Sequence, residues 1–218
     1  MQYLARFLAW YEYRKGASKE TVTRLTNLKS SLALSRKLMR TGKFFEHWQS
    51  AVKALAIKDP VVAYTALGRQ LSYSVYLIFD TLQWVHGSKA YTFEPDTYKT
   101  VSRRASQFWL LGILFSLVSG AYKSHVLRSR QSAASRPRAT AEKEAERKVE
   151  VQQIKKEQSA VRFQMIQDAL DAMNPATAAD ITNFDDGAIG LAGTVTSLMG
   201  AYTQWQAVNG GSIASKTK

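Results

Sequence analysis

Apolar residues recur every three to four positions along most of the chain, and only four prolines interrupt them. That spacing is helical. No Asn-Gly or Asp-Gly pair lies between alternating apolar runs, as a hairpin would require. The expected fold class is therefore all-α. After a break at Gly16, Ser18 followed by Glu20 and Thr21 marks a helix start. Helix is predicted from there to about Ile57, with Asp59-Pro60 as the stop. An apolar segment, 61–85, comes next, then a turn-rich stretch, 87–96, then a strongly apolar run from Phe108 to Tyr122.

Beyond that run the pattern changes. Residues 128–138 are mostly Ser, Ala, Gln and Arg with one proline, and read as a flexible linker. Residues 140–173 are dense in Glu and Lys, with Glu144 and Lys148 at helical spacing, and read as a solvated helix. Its thin apolar stripe, Val151, Ile154, Val161 and Met165, suits docking along one edge. No internal repeat is present. The expected organisation is a single domain over 1–218: amphipathic helices in 1–60, apolar helices in 61–127, linker and charged helix in 128–175, and a membrane helix in 187–208.

The segment from Lys29 to Leu55 has the strongest two-sided pattern. At about 100° per residue, Leu34, Leu38, Phe45, Trp48, Val52 and Leu55 share one sector, and Lys29, Arg36, Arg40 and Lys43 lie opposite. Rings and aliphatics facing acyl chains, with cations facing phosphates, is how a helix lies in a membrane interface. A surface helix packed on a soluble bundle has the same pattern, so the two readings stay open here.

Two other segments suit lipid. From Ala105 to Tyr122 there are 18 residues without a charge. As helix they extend about 27 Å, against a hydrocarbon core of about 30 Å. Arg103, Arg104 and Lys123 flank the run and are long enough to snorkel. A membrane-crossing helix is the expectation, with a buried core helix the alternative. Gly187 to Val208 is also uncharged for 22 residues but rich in Gly, Ser and Thr. Its small residues, Gly190, Gly193, Ser197, Gly200 and Ala201, would permit close helix packing in a bilayer. Leu71 to Phe79, bounded by Arg69 and Asp80, is too short to span and suits a buried or interface-lying helix.

Composition narrows the partners. Lys and Arg number 30 against 17 acidic residues, a formal net charge of +13, so the expected partner is anionic. Nucleic acid is disfavoured, because the basic residues alternate with no aromatic stacking platform. There is no cysteine, which removes disulfides, thiolate chemistry and cysteine zinc sites. His47, His86 and His125 are isolated, and Asp168 with Asp171 ahead of Asn174-Pro175 reads as a pair of solvated helix-end carboxylates. The glycines of 187–200 do not form a phosphate loop. No catalytic pattern emerges, no cofactor or metal is implied, and an enzyme is the least favoured class.

Three stretches in order carry a resemblance. Gln2-Tyr3-Leu4-Ala5-Arg6-Phe7-Leu8 resembles the helical Gln-Tyr opening block of the peroxin-eleven family, the peroxisomal biogenesis factors. Ser35-Arg36-Lys37-Leu38-Met39-Arg40 with Phe44-Phe45 resembles its basic amphipathic helix. Gly193-Thr-Val-Thr-Ser197-Leu-Met-Gly200 with Trp205 resembles its C-terminal glycine-serine block. The family's usual segment ahead of the Gln-Tyr block is not in this sequence, so a shortened or mis-assigned start is the expectation. The resemblance implies a peroxisomal membrane protein that inserts an amphipathic helix into anionic lipid, self-associates as a homo-oligomer, elongates the organelle and promotes its fission by dynamin-like machinery. Alternatives are a peroxisomal pore or metabolite channel, also proposed for the family, and a soluble helical adaptor. The ending Ser215-Lys216-Thr217-Lys218 does not match a Ser-Lys-Leu matrix address. Peroxisomal placement then relies on internal targeting information. Topology stays open: the resemblance places both termini in the cytosol, whereas Arg128, Arg130, Arg136 and Arg138 favour a cytosolic middle loop.

Overall fold

A computed structural model describes residues 1–135 and 141–215, with the side chains of 141–143 and 210–215 left aside. The described residues form helices and no strand. In order these are α1 (Gln2–Arg14), α2 (Lys19–Arg40), α3 (Phe44–Ala54), α4 (Pro60–Gly87), α5 (Pro95–Ala134), α6 (Ala141–Ala178) and α7 (Asp186–Ser215). The all-α class expected from periodicity is what the described residues form.

Local signals explain most boundaries. The Ser18 side chain accepts from the Thr21 N–H and caps α2, satisfying one of the orphan donors of the first turn. Asp59 Oδ1 accepts from the N–H groups of Val61 and Val62 at the start of α4. The Val62 N–H foremost, with help from the Tyr122 hydroxyl and the Val61 N–H, holds the Asp59 carboxyl below its usual pKa.

Three expectations need correction. First, the helix predicted from Ser18 to Ile57 is two helices. Thr41-Gly42-Lys43 intervenes, and Gly42 has φ +84°, a left-handed conformation that glycine adopts without a Cβ penalty. Second, the linker predicted over 128–138 is helical up to Ala134, because Leu127 and Ala134 pack around the fully buried Ile154 of α6. Arg136 and Arg138 lie outside the described residues. Third, Asn174-Pro175 does not end a helix: Pro175 is inside α6 and fully buried. Asp168 is buried as well, at 3% exposure, with Oδ1 accepting from Gln164 Nε2.

The chain forms two compact units. One comprises residues 1–41, 77–107 and 170–218. In it α1 lies against both α2 and α7. Gly187, Gly190 and Gly193 of α7 receive Trp10, Phe7 and Tyr3 of α1. A Cβ on Gly190 would sit 2.6 Å from the Phe7 backbone nitrogen, so only glycine allows this approach. The prediction is that Gly190→Val costs about 1–3 kcal/mol by overpacking. Thermal melting in detergent should show the loss, and trypsin should cut sooner at Arg14 and Lys15 as α1 detaches. An unchanged melting temperature would refute the packing argument.

The other unit comprises residues 42–76 and 108–169, that is α3 with parts of α4, α5 and α6. Val151 and Val161 of α6 pack on the Leu127–Ala134–Ile154 cluster, and Gly120 of α5 meets Met165. The thin stripe of α6 docks on α5 as its spacing suggests.

Candidate membrane interface

The short helix α3 divides its circumference three ways. Ala51 and Ala54 are buried. His47 Nδ1 lies 2.7 Å from Gln70 Oε1, and Ser74 donates to the Phe44 carbonyl at 3.2 Å. These small and polar groups dock α3 onto α4. Glu46, Gln49 and Lys53 form a second, solvated sector. The third holds Phe45, Trp48, Val52 and Leu55, which are 60 to 64% exposed. They fall within an arc of about 80°. Large apolar groups point away from the protein while alanines face it, the reverse of what burial in a soluble bundle selects.

The predicted α2 residues are placed differently. Leu38 is exposed, but Leu34 is half-buried and lies against Gly87. Three of the four predicted headgroup cations are engaged within their own unit. Lys29 is 3.7 Å from Asp186. Arg36 donates to Gln2 Oε1 at 2.7 Å and lies over the Tyr3 ring. Arg40 donates to Asp80 Oδ2 at 2.7 Å, and Lys37 donates to Asp80 Oδ1 at 2.7 Å and to Gln83 at 2.9 Å. Lys43, at the start of α3, is exposed. The sequence pattern marks Asp80 only as the edge of an uncharged stretch. The available signal was a carboxylate inside an otherwise apolar helix, which calls for a partner.

Asp186 completes this set of ion pairs. Burial by itself raises its pKa, but hydrogen bonds and charge from Arg6, joined by Lys29, outweigh that and hold it below its ordinary value. The resulting stability is present above the usual carboxylate range and is lost as pH falls through the lowered value. At neutral pH the tie between α1 and α7 is therefore intact.

Among the described residues α5 is the helix long and apolar enough to cross a membrane. Only 22% of its most apolar 18-residue stretch is buried, whereas a core helix hides most of its surface. Leu111, Leu114 and Val118 form its exposed stripe. On α7, Gly190 and Gly193 do pack a helix, namely α1. Ser197 and Ala201 are exposed and Gly200 is half-exposed. Leu191, Val195, Leu198, Tyr202 and Trp205 form a further exposed apolar stripe at alternating four- and three-residue steps.

An all-α chain with a candidate span and an outward-facing apolar helix belongs to the class of membrane-associated helical proteins. The family is specific: the chain matches Peroxisomal biogenesis factor 11 (PEX11) over residues 1–205, and it belongs to that family. It is 27% identical over 222 residues to Peroxisomal membrane protein PMP30A of Candida boidinii, covering 95% of this chain and 87% of that protein. It is 26% identical over 215 residues to Peroxisomal biogenesis factor 11 of Schizosaccharomyces pombe, covering 94% and 86%. Human Peroxisomal membrane protein 11B is 28% identical over 133 residues, covering 61% and 51%. No solved structure matches significantly. The chain is thus a peroxisomal membrane protein in peroxisome biogenesis, and its family is one of biogenesis factors rather than enzymes.

Proposed function

We propose that the chain curves and elongates the peroxisomal membrane by seating α3 as a wedge at headgroup depth, and thereby promotes fission and proliferation of the organelle. The observation that carries this reading is the outward apolar face of Phe45, Trp48, Val52 and Leu55. Burying each such side chain contributes about 1.5–3 kcal/mol. Lys43, Lys53 and Lys58 are all exposed along or beside α3, and a cation near an anionic leaflet contributes about 1 kcal/mol. Lys29, Arg36 and Arg40 act mainly as positioning residues in this reading, holding α2 within its own unit. Insertion into one leaflet expands it relative to the other and favours positive curvature when copies cluster. The exposed apolar stripe of α7 suits self-association within the bilayer, and the elongated membrane is the substrate on which dynamin-like machinery acts.

The test is reconstitution of the full chain into neutral and anionic vesicles, viewed by electron microscopy. Tubules on anionic vesicles are expected. Round vesicles in both, together with ion conductance, would overturn the wedge in favour of a channel.

A further inference from the structure

A cavity of about 280 Å³ lies within the second unit, among α4, α5 and α6. It is near the lower end of the range for ligand sites, roughly 300–1,000 Å³, a size for a small headgroup rather than a cofactor. Its charged lining residues are Arg69 and Lys123, and no carboxylate lines it. Arg69 Nε is buried with no hydrogen-bond partner among the described residues, and the guanidinium lies over the Tyr73 ring, 5.6 Å from its centroid. Ser116, 6% exposed, and Ser119 also line the cavity, and among the described residues neither hydroxyl bonds a protein group.

Unspent donors of this kind are costly. Arg69 is half-buried, and its buried Nε–H loses hydration that no hydrogen bond among the described residues replaces. Of the acidic groups on α6 that flank the lining residues, Asp168 accepts from Gln164 through Oδ1 and Glu157 faces an adjoining cavity with Lys123, and neither lines this one. Gln70, another lining residue, has its Oε1 engaged by His47, which leaves its amide N–H groups to donate. Arg69, Lys123, Ser116, Ser119 and Gln70 are thus donors converging on one space with no acceptor charge in it.

The level of the cavity narrows the occupant further. Lys123 is the first charge after the uncharged run 105–122 of α5, so it stands where a spanning helix meets headgroups. Arginine matches phosphate oxygens with its planar fork, and lysine adds a point charge.

We infer that this cavity is a binding site for a phosphate oxyanion, supplied either by a phospholipid headgroup or by free phosphate, with Arg69, Lys123 and Ser116 as its ligands. The site is separate from the α3 wedge and stands or falls independently of it.

The test uses the full chain purified from membranes in mild detergent. Native mass spectrometry reads retained phospholipid, and thermal melting during titration with inorganic phosphate reads the free anion. The variants are Arg69→Gln, Lys123→Gln and Ser116→Ala. Arg162→Gln serves as control: it removes the same charge from a position outside the cavity.

A lipid site predicts one phospholipid per chain in the wild type and the control, lost in Arg69→Gln and reduced in Ser116→Ala. A free-phosphate site predicts stabilisation by phosphate without retained lipid, with affinity weakened about ten- to a hundredfold in Arg69→Gln. Circular dichroism checks folding, and Ser116→Ala is mild enough to stand in if Arg69→Gln misfolds. Neither lipid nor phosphate bound by the wild type, or equal loss in Arg162→Gln, would overturn the assignment.

Discussion

Replacing Phe45 and Trp48 together by serine should abolish tubulation of anionic vesicles while leaving the fold intact. Both side chains are more than 60% exposed, so their removal takes little from packing, and surface changes of this kind usually shift stability by less than about 0.5 kcal/mol. Their loss from the membrane is another matter. Two large apolar groups contribute about 3–6 kcal/mol to insertion, so the inserted population of α3 should fall by more than about a hundredfold. The chain has no cysteine, which allows a clean probe: Val52→Cys, labelled with an environment-sensitive fluorophore, reports where the helix sits. Blue-shifted emission is expected on anionic vesicles with Phe45 and Trp48 present, and water-like emission in the double variant. Tubules of undiminished number from the double variant would show that α3 is not the wedge. The candidate span α5 is unaltered by these substitutions, so the comparison isolates α3.

Local chemistry was readable wherever it acts within a few residues. Ser18 capping α2 and Asp59 capping α4 are short-range effects of oxygen acceptors on orphan N–H groups. The outward face of α3 was readable too, because Phe45, Trp48, Val52 and Leu55 repeat at three- and four-residue steps. What failed depended on distant partners. Residues 128–134 have no strong breaker, and Leu127 and Ala134 complete a core around Ile154, so tertiary packing carries the helix through a stretch of linker-like composition. Pro175 is tolerated in α6 where the neighbouring Asn174 bonds Arg6 and Tyr3 of α1, contacts 168 and 171 residues away in sequence. Periodicity puts Arg36 and Arg40 on one side of α2. It held no information on whether phosphate or protein faces that side.

For Arg40 and Lys37 the answer is Asp80, and the consequence is large. Asp80 has a side chain only 3% exposed and receives both cations at 2.7 Å. Lys37 and Arg40 are themselves 21% and 28% exposed. Burial is the main influence on Lys37 and lowers its pKa, with the charge and hydrogen bond of Asp80 offsetting only part of that. Asp80→Ala should therefore strand two poorly hydrated cations on α2, and breaking a buried pair from one side costs about 3–5 kcal/mol. The lower end is expected, since both side chains have a route to water. The predicted outcome is a lowered melting temperature. Asp80→Asn, which keeps one acceptor oxygen but loses the charge and turns the other acceptor into a donor, should lose only somewhat less stability. If Asp80→Ala melted like the wild type, the ion cluster would have no structural weight.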